Sequence, residues 1–492
     1  MSTATFRQAG RQRRTTLPAR DPVPLVVDLD GTLILGDLLL ESIIVLLKRS
    51  LHYALFLPLW ILGGRAALKA RLARSMEPDL STVLVNHPFV EHLKKEKARG
   101  RRLFLATGTH ESWARKIADS FGLFDGVLAS SGDANRTGRA KLSLLRERFG
   151  ATGFDYAGNA AVDYPIWQAA RRATVVNAPP RVARWVARHA RVEHVFPRQG
   201  AGPRTYLRAF RVHQWLKNLL LFAPLIAALH FTDLAAIGAI CIGFVSFSLA
   251  ASSVYILNDI VDIHDDRRHP RKCKRPFASG ELPLPQGLVL IPLLLTAAAA
   301  LAFFLPWKFG AVLAAYYAMT LAYSFKLKQI ESVDVLVLAM LYTTRVFAGG
   351  MAAGIPLSFW LLSFAIFIFL SLALAKRYAE LAMLRERGEK AASGRGYRVA
   401  DLPLLHSMGT GSGYVAAFVL GLYLNTGQIE FAYSNPRVLW ALVPLVIYWI
   451  TRIWLKTYRG EMHDDPVVFA ARDPTSLVIG ALFALTILFA ML

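Results

Sequence analysis

"YILNDIVDIHDDRRHP", residues 255–270, ends a segment that is otherwise oily. The residues just ahead of it, "LAAIGAICIGFVSFSLAASSV" (234–254), carry no charge. Four aspartates, Asp259, Asp262, Asp265 and Asp266, then fall within eight residues, and a run of bases from Arg267 to Arg275 follows. Uncompensated charge beside an apolar wall at a membrane interface is costly, so these acids need a counter-charge. On a helix, Asn258 and Asp262, Asp259 and Asp262, and Asp262 and Asp266 are three or four residues apart and stack on one face. Stacked carboxylates repel unless something cationic sits between them. A hard divalent ion does this through oxygen ligands and leaves room for a substrate diphosphate. The bases that follow can take up the remaining phosphate charge. The competing reading is a helix end whose acids are simply paired with arginines.

The rest of the chain fits a membrane setting. It has 492 residues, 54% of them hydrophobic, and a mean hydropathy of +0.37, too apolar for an ordinary soluble protein and long enough for more than one domain. The apolar mass lies mostly beyond residue 215. There the pattern predicts nine spans, roughly 217–234, 236–257, 285–306, 309–325, 333–352, 356–375, 411–427, 437–455 and 475–492. The connections alternate. "LHFTD", "PWK", "AAGIPL" and "TGQIEFAYSN" are short and poor in bases. The others hold Arg267 to Arg275, then Lys326 and Lys328, then Lys376 to Arg398. Base-rich loops stay inside, which predicts a cytoplasmic N-terminus and a cytoplasmic aspartate cluster in a multi-pass inner-membrane protein.

The net charge of +23 is concentrated in those loops, which favours anionic lipid and phosphorylated substrates over nucleic acid. Two cysteines, Cys241 and Cys273, make no disulfide framework. The basic N-terminus ("RQAGRQRR") has no apolar core behind it and does not read as a signal peptide.

"NDIVDIHDD" fits N-D-x-x-D-x-x-x-D, with Asn258, Asp259, Asp262 and Asp266 at the motif positions. It resembles the first aspartate-rich motif of the UbiA-type membrane prenyltransferases, and the resemblance covers residues 204–492. It implies an all-α nine-helix bundle that binds a diphosphate through Mg2+. Those enzymes usually carry a second motif, D-x-x-x-D. The place compared here reads "YSFKLKQIESVDV", with Tyr323, Lys326 and Lys328 and with Glu331 and Asp334, but no D-x-x-x-D. With "RVHQWLKN", "TRVFAGG" and "AKRYAEL", the chain looks more like the decaprenylphosphoryl-5-phosphoribose synthase branch. That branch implies phosphoribosyl diphosphate as donor and a polyprenyl (decaprenyl-type) phosphate as nucleophile. Asp259, Asp262 and Asp266 would hold the metal, with Asn258 as a ligand or hydrogen-bond donor. Lys274, Arg275, Lys326 and Lys328 become candidates for the donor's phosphates, and Lys217, Asn218, Tyr323 and Arg345 for the remaining substrate contacts. Lys217 and Arg345 are the candidates for the lipid phosphate. An arginine at mid-membrane costs about 3 kcal/mol and needs a partner inside the bundle.

Near the N-terminus, "PLVVDLDGTLILGD" (24–37) is an apolar strand ending in D-x-D-G-T. It resembles motif one of the haloacid-dehalogenase-type phosphatases, implying a doubly wound α/β domain. Asp28 would be the phosphoryl-accepting nucleophile and Asp30 the general acid and base. "RRLFLATGTH" offers Thr107 for motif two and "GRAKLSLL" offers Lys141 for motif three. Where G-D-x-x-x-D is usual, the chain reads Gly158, Asn159 and Asp163. One magnesium carboxylate is therefore replaced by an amide or displaced to Asp163, and the implied metal set is Asp28, Asp30, Asn159 and Asp163. Residues 52–64 contain about 13 apolar or small residues, too few to span. They suit either a cap helix lying on the membrane surface or the core of a buried cap.

The expected organisation is a basic, disordered N-terminus (1–20), a phosphatase domain (21–195) with a cap at about 38–85, and a transferase domain (196–492). The expected function is a bifunctional enzyme that transfers 5-phosphoribose to a polyprenyl phosphate and removes the 5-phosphate. A prenyltransferase acting on an aromatic acceptor, and a non-catalytic lipid-binding or transport protein, are the alternatives. Self-association into a homo-oligomer is left open.

Overall fold

The computed structural model describes residues 23–492 apart from 50–51, 63, 78, 131–136, 199, 231, 392–394, 427–432 and 463–464. The basic N-terminal segment and most of the "TGQIEFAYSN" connection lie outside the described residues. The chain divides into two compact units. One holds residues up to Gly200 with Arg267–Pro270 and Ser279–Glu281, and the other holds the remainder.

The first unit is a parallel α/β sandwich. Its order is β1 (Leu25–Val27), α1 (Leu38–Arg49), α2 (Tyr53–Leu62), α3 (Arg65–Ser75), α4 (His87–Ala98), β2 (Leu103–His110), α5 (Glu111–Phe121), β3 (Gly126–Ser130), α6 (Arg139–Phe149), β4 (Asp155–Gly158), α7 (Tyr164–Ala169), β5 (Ala173–Val176), α8 (Pro180–His189) and β6 (Val192–Phe196). The six strands are arranged β3-β2-β1-β4-β5-β6, and every pairing is parallel. Parallel strands are covered on both faces, so they read as continuous apolar runs. "LVV" of β1 is wholly buried. The order reverses direction between β1 and β4, where the carboxyl ends of the strands leave a crevice for ligands. Asp28 and Asp30 follow β1, and Asn159 and Asp163 follow β4, so the topology delivers both carboxylate motifs to one crevice.

Helices α1 to α3 form the insert between β1 and α4. In α2, Leu57 is buried while Phe56, Leu59 and Leu62 are exposed. The short apolar stretch therefore contributes to a buried core and also presents an apolar face.

The second unit is helical. It opens with α9 (Pro203–Ala209), a 3-10 segment (Val212–Phe222) and α10 (Ala223–Ala227), then α11 (Leu234–Val261) and α12 (Ile263–Arg268). There follow α13 (Leu284–Ala302), α14 (Trp307–Phe325), α15 (Val333–Ala353), α16 (Phe359–Glu386), α17 (Leu402–Leu424), α18 (Leu442–Tyr458), α19 (Pro466–Ala470) and α20 (Pro474–Met491). Among the described residues seven helices are long and apolar enough to cross a membrane, not the expected nine. They are α11, α13, α15, α16, α17, α18 and α20, so this is a multi-pass membrane protein.

The two missing spans have physical causes. The stretch read as a first span, 217–234, breaks into the 3-10 segment and α10. It carries Lys217 and Asn218, both buried and both used in polar contacts. Pro224, which cannot donate a backbone hydrogen bond, then starts a new helix. The fourth, α14, is 19 residues long but includes Lys308, three tyrosines, Thr320 and Ser324.

Candidate active sites

In the α/β unit the site grows from the end of β1. The Asp28 backbone N–H donates to Ala157 O of β4 at 2.9 Å, which ties the two motif-bearing strands together. Lys141, on α6, donates to Asp28 Oδ1 at 2.7 Å and lies 3.7 Å from Asp163 Oδ1. Tyr156 completes the group. Its hydroxyl donates to Asp163 Oδ1 at 2.9 Å and accepts from Lys141 Nζ at 3.1 Å. Burial opposes the charge on Lys141, but the Asp28 and Asp163 carboxylates hold its pKa above the ordinary value. Burial also pushes the Asp163 carboxyl up to about 6, against the pull of Lys141.

Asp30 is held separately. Oδ1 accepts from the Leu38 N–H at 3.0 Å, at the start of α1, and Oδ2 accepts from Thr109 Oγ1 at 2.7 Å. Burial, with the Asp37 and Asp28 charges adding to it, raises its carboxyl to about 7. A carboxyl near 7 can both give and take a proton at neutral pH, as an acid–base residue must. Thr107 is buried, but its hydroxyl accepts from the Thr109 N–H at 3.0 Å, and Thr109 is the residue that touches Asp30. Asn159 is packed against Gly31, whose φ of +74° belongs to the left-handed region. A Cβ at Gly31 would lie 1.9 Å from Asn159 Nδ2, so only glycine fits. Asp28, Lys141 and Asp163 therefore meet directly, while Asn159 lines the turn. Sequence reasoning missed Tyr156 and Thr109. The "TGT" after β2 holds two threonines, and spacing alone does not say which one faces the acid.

In the helical unit, Asp259 lies in the last turns of α11, Asp262 follows that helix and Asp266 lies in α12. Asp259 is ion-paired with Arg211. Arg275 Nη1 bridges Asp259 Oδ1 at 3.1 Å and Asp266 Oδ2 at 2.6 Å. Lys328 Nζ lies 3.7 Å from Asp262 Oδ2. The Arg211 guanidinium also sits 5.1 Å from the centroid of the Tyr255 ring. Burial raises the Asp266 carboxyl, against the pull of Arg275. Asn258 is half-buried, and Lys274 and Lys326 are exposed.

Among the described residues no three carboxylate, histidine or cysteine side chains are placed together to hold a metal ion. Asp259 and Asp266 nevertheless converge on one cation, and their hard oxygens are the donors a divalent ion prefers. The residues fit such an ion in chemistry, and the cations now beside them are suited to diphosphate oxygens.

The other expected substrate residues fall into three further groups. Arg345 is buried, donating from Nε to Asn218 Oδ1 at 2.9 Å, from Nη1 to Leu341 O at 2.5 Å and from Nη2 to the Tyr316 hydroxyl at 2.9 Å. Asn218 donates in turn to Ser248 Oγ at 2.9 Å. Arg345 thus has the bundle-interior partners its cost requires. Tyr323 donates to Asp334 Oδ1 at 2.8 Å, and Asp334 is ion-paired with Arg377 at 2.6 Å. Lys217 donates to Asp465 Oδ2 at 2.8 Å, as does Lys376. Asp465 lies far along the chain in no recognised motif, and sequence gave no signal for it.

The UbiA prenyltransferase family matches residues 219–490, and the haloacid dehalogenase-like hydrolase family matches residues 25–166. The chain is 36% identical to the uncharacterized protein y4nM of Sinorhizobium fredii, over 98% of this chain and 95% of that one. It is 36% identical to the nodulation protein NoeC of Azorhizobium caulinodans, over 58% of this chain and 93% of that one. It is 40% identical to the decaprenyl-phosphate phosphoribosyltransferase of Mycolicibacterium smegmatis, over 37% of this chain and 59% of that one. A solved structure of a UbiA homolog from Archaeoglobus fulgidus bound to GPP and Mg2+ aligns with 58% of this chain and 99% of that chain, at 17% identity and a TM-score of 0.46.

Proposed function

The chain belongs to the UbiA prenyltransferase family, with a haloacid dehalogenase-like domain fused ahead of it, and from that premise we propose a bifunctional enzyme. Its transferase domain (196–492) moves 5-phosphoribose from phosphoribosyl diphosphate to a polyprenyl phosphate of the decaprenyl type. Its α/β domain (21–195) removes the 5-phosphate from the lipid product. The observation that carries the transfer reading is the 40% identity to a decaprenyl-phosphate phosphoribosyltransferase. The base-rich connections support a place in the inner membrane, with both sites on the cytoplasmic side.

In this reading Asp259, Asp262 and Asp266 hold Mg2+, which when bound neutralises the diphosphate and eases its departure. Arg211 and Arg275 offer guanidinium forks to the diphosphate oxygens, and Lys328 adds a third cation. The bond from ribose C1 to the diphosphate oxygen breaks as a lipid phosphate oxygen bonds to C1, and pyrophosphate leaves. The attacking oxygen is already anionic at neutral pH, so no general base is required. In the α/β domain Asp28 attacks the 5-phosphate as Asp30 protonates the departing ribose oxygen. Asp30 then takes a proton from the water that hydrolyses the aspartyl-phosphate, releasing inorganic phosphate and restoring Asp28, and Lys141 balances the charge on Asp28. Asp28, Asp163 and Asn159 are the groups there that would hold Mg2+; Asp30, expected among them, instead has both oxygens accepting from the Leu38 N–H and Thr109 Oγ1.

The test is incubation of the purified protein with labelled phosphoribosyl diphosphate, Mg2+ and polyprenyl phosphate. Label should enter the lipid fraction. Product from a prenyl diphosphate and an aromatic acid instead would replace this reading with an aromatic prenyltransferase.

A further inference from the structure

Lys217 and Lys376 meet within the helical unit. Lys217 comes from the 3-10 segment before α10 and Lys376 from α16, yet both ammonium groups donate to the same oxygen, Asp465 Oδ2, each at 2.8 Å. Asp465 is fixed from behind. Its other oxygen accepts from the Val467 N–H at 3.2 Å at the start of α19, and the Tyr342 hydroxyl donates to it at 3.0 Å. The Lys217 ammonium also lies 5.6 Å from the centroid of the Tyr342 ring. The Lys217 and Asp465 side chains are only 11% and 9% exposed, whereas Lys376 is 36% exposed and gives the cluster an open side.

The charge does not balance. Arg345 acts on Lys217 as a third cation, and three of its donors are committed to Asn218, Leu341 and Tyr316. Three cations against one carboxylate leave two positive charges in a largely buried place. Drawing two ammonium groups onto one oxygen costs repulsion, and a buried excess of charge persists only when something compensates it. Each ammonium carries three N–H donors, and one of each is committed to Asp465. What fits is a small dianion with several acceptor oxygens.

We propose that Lys217 and Lys376, drawn together by Asp465, form a seat for a phosphate monoester. Two sources share that chemistry, the head group of a polyprenyl monophosphate and the 5-phosphate of a phosphoribosyl donor. That either one is a substrate rests on the transferase reading above, while the seat itself does not. Asp465 is a positioning residue that draws the two cations together.

The experiment measures binding without chemistry, on the full-length protein in detergent, with no Mg2+ and no diphosphate. The probes are a short polyprenyl phosphate, ribose 5-phosphate and the uncharged polyprenol. Lys217→Gln and Lys376→Gln should each weaken one of the two monoesters roughly tenfold, as expected for losing a charged hydrogen bond. Polyprenol binding should be unchanged, and Lys376→Arg should restore part of the loss. The monoester that weakens identifies the source. If both variants fold and neither monoester weakens, the cluster is a structural ion pair and the proposal fails. A measurement on the wild type guards against misfolded variants. Binding should strengthen as pH rises through the phosphate's second pKa, about 6, and the methyl diester, a monoanion, should bind about tenfold more weakly. Equal affinity for diester and monoester would also sink the seat. Monoester binding that depends on these lysines, without ribose transfer, would keep the seat and discard the transferase reading. Transfer without such binding would do the reverse.

Discussion

The two aspartate clusters use the same side chain in opposite electrostatic settings. In the α/β unit, Lys141 pairs with Asp28 and lies near Asp163, and Asp30 acts on it only through space. The acids outnumber it, and burial first, with neighbouring carboxylates adding to it, raises the carboxyls to about 7 for Asp30 and about 6 for Asp163. In the helical unit, Asp259, Asp262 and Asp266 are met by Arg211, Arg275 and Lys328. An acid-rich pocket favours receiving a cation and moving protons. A balanced cluster favours exchanging its partners for a metal with its own anion. The difference teaches that carboxylate spacing announces a site, while the number of cations around it decides whether the chemistry is proton transfer or charge delivery.

The sharpest way to break this contrast is to remove the nucleophile of the acid-rich pocket. Asp28→Asn keeps the shape and abolishes phosphoryl acceptance, so dephosphorylation of the lipid product should fall by about 10^4-fold or more. Ribose transfer should be unaffected, and the 5-phosphorylated lipid should accumulate. Mass spectrometry of the lipid fraction reads both. An unchanged product ratio would leave the α/β unit as a dock or regulator.

For the balanced cluster, Asp259→Ala and Asp262→Ala should each lower transfer on the order of a thousandfold, the scale of several kcal/mol lost from a departing diphosphate. Both proteins should remain monodisperse in detergent. Near-normal transfer by either folded variant would mean that the cluster is no more than a salted helix end.

A third charged group marks the purely structural extreme. Asp334 and Arg377 are almost wholly buried, and Arg377 also pairs with Glu380. Asp334→Ala strands the guanidinium, a change that costs about 3–5 kcal/mol when one partner of a buried pair is removed. Thermal unfolding in detergent should show it. A variant as stable as the wild type would show that Glu380 alone is a sufficient partner for the Arg377 charge.

Much of this was legible in the sequence because the signals are local. An apolar strand ending in D-x-D-G-T and aspartates three and four apart at a helix end are short-range patterns, and each placed its residues at a real cluster. The doubly wound sheet followed from the same motifs. What failed to show depends on distant partners. The 217–234 stretch is apolar enough on average to look like a span, yet Lys217 and Asn218 inside it bond to Asp465 and Ser248, and the segment bends to let them. Tyr323 was grouped with its neighbouring lysines, but it bonds to Asp334 on the next helix. Asp465 and Tyr156 carry no motif of their own. Their roles exist only once lysines from elsewhere in the chain have been brought to them.

The last and smallest effect tests the proton side of the contrast. Asp30 has a folded-state carboxyl raised to about 7 by burial, with Asp37 and Asp28 adding to it. A raised carboxyl stays protonated at pH values where an ordinary aspartate has ionised, so Asp30 is a competent acid below about 7 and loses that proton above it. Breaking a phosphate bond to a ribose hydroxyl needs an acid, because an alkoxide is a poor leaving group. Single-turnover phosphoryl transfer from such a substrate should therefore fall by up to about tenfold per pH unit above 7. p-Nitrophenyl phosphate releases a stable phenolate and needs no proton, so its first step should stay nearly flat over the same range. Asp30→Asn should flatten the alkyl substrate's profile at a low rate and leave the p-nitrophenyl step closer to normal. Parallel profiles for the two substrates in the wild type would remove Asp30 as the acid. The acid excess around Lys141 would then serve only to bind a cation, and the two clusters would differ in occupancy rather than in chemistry.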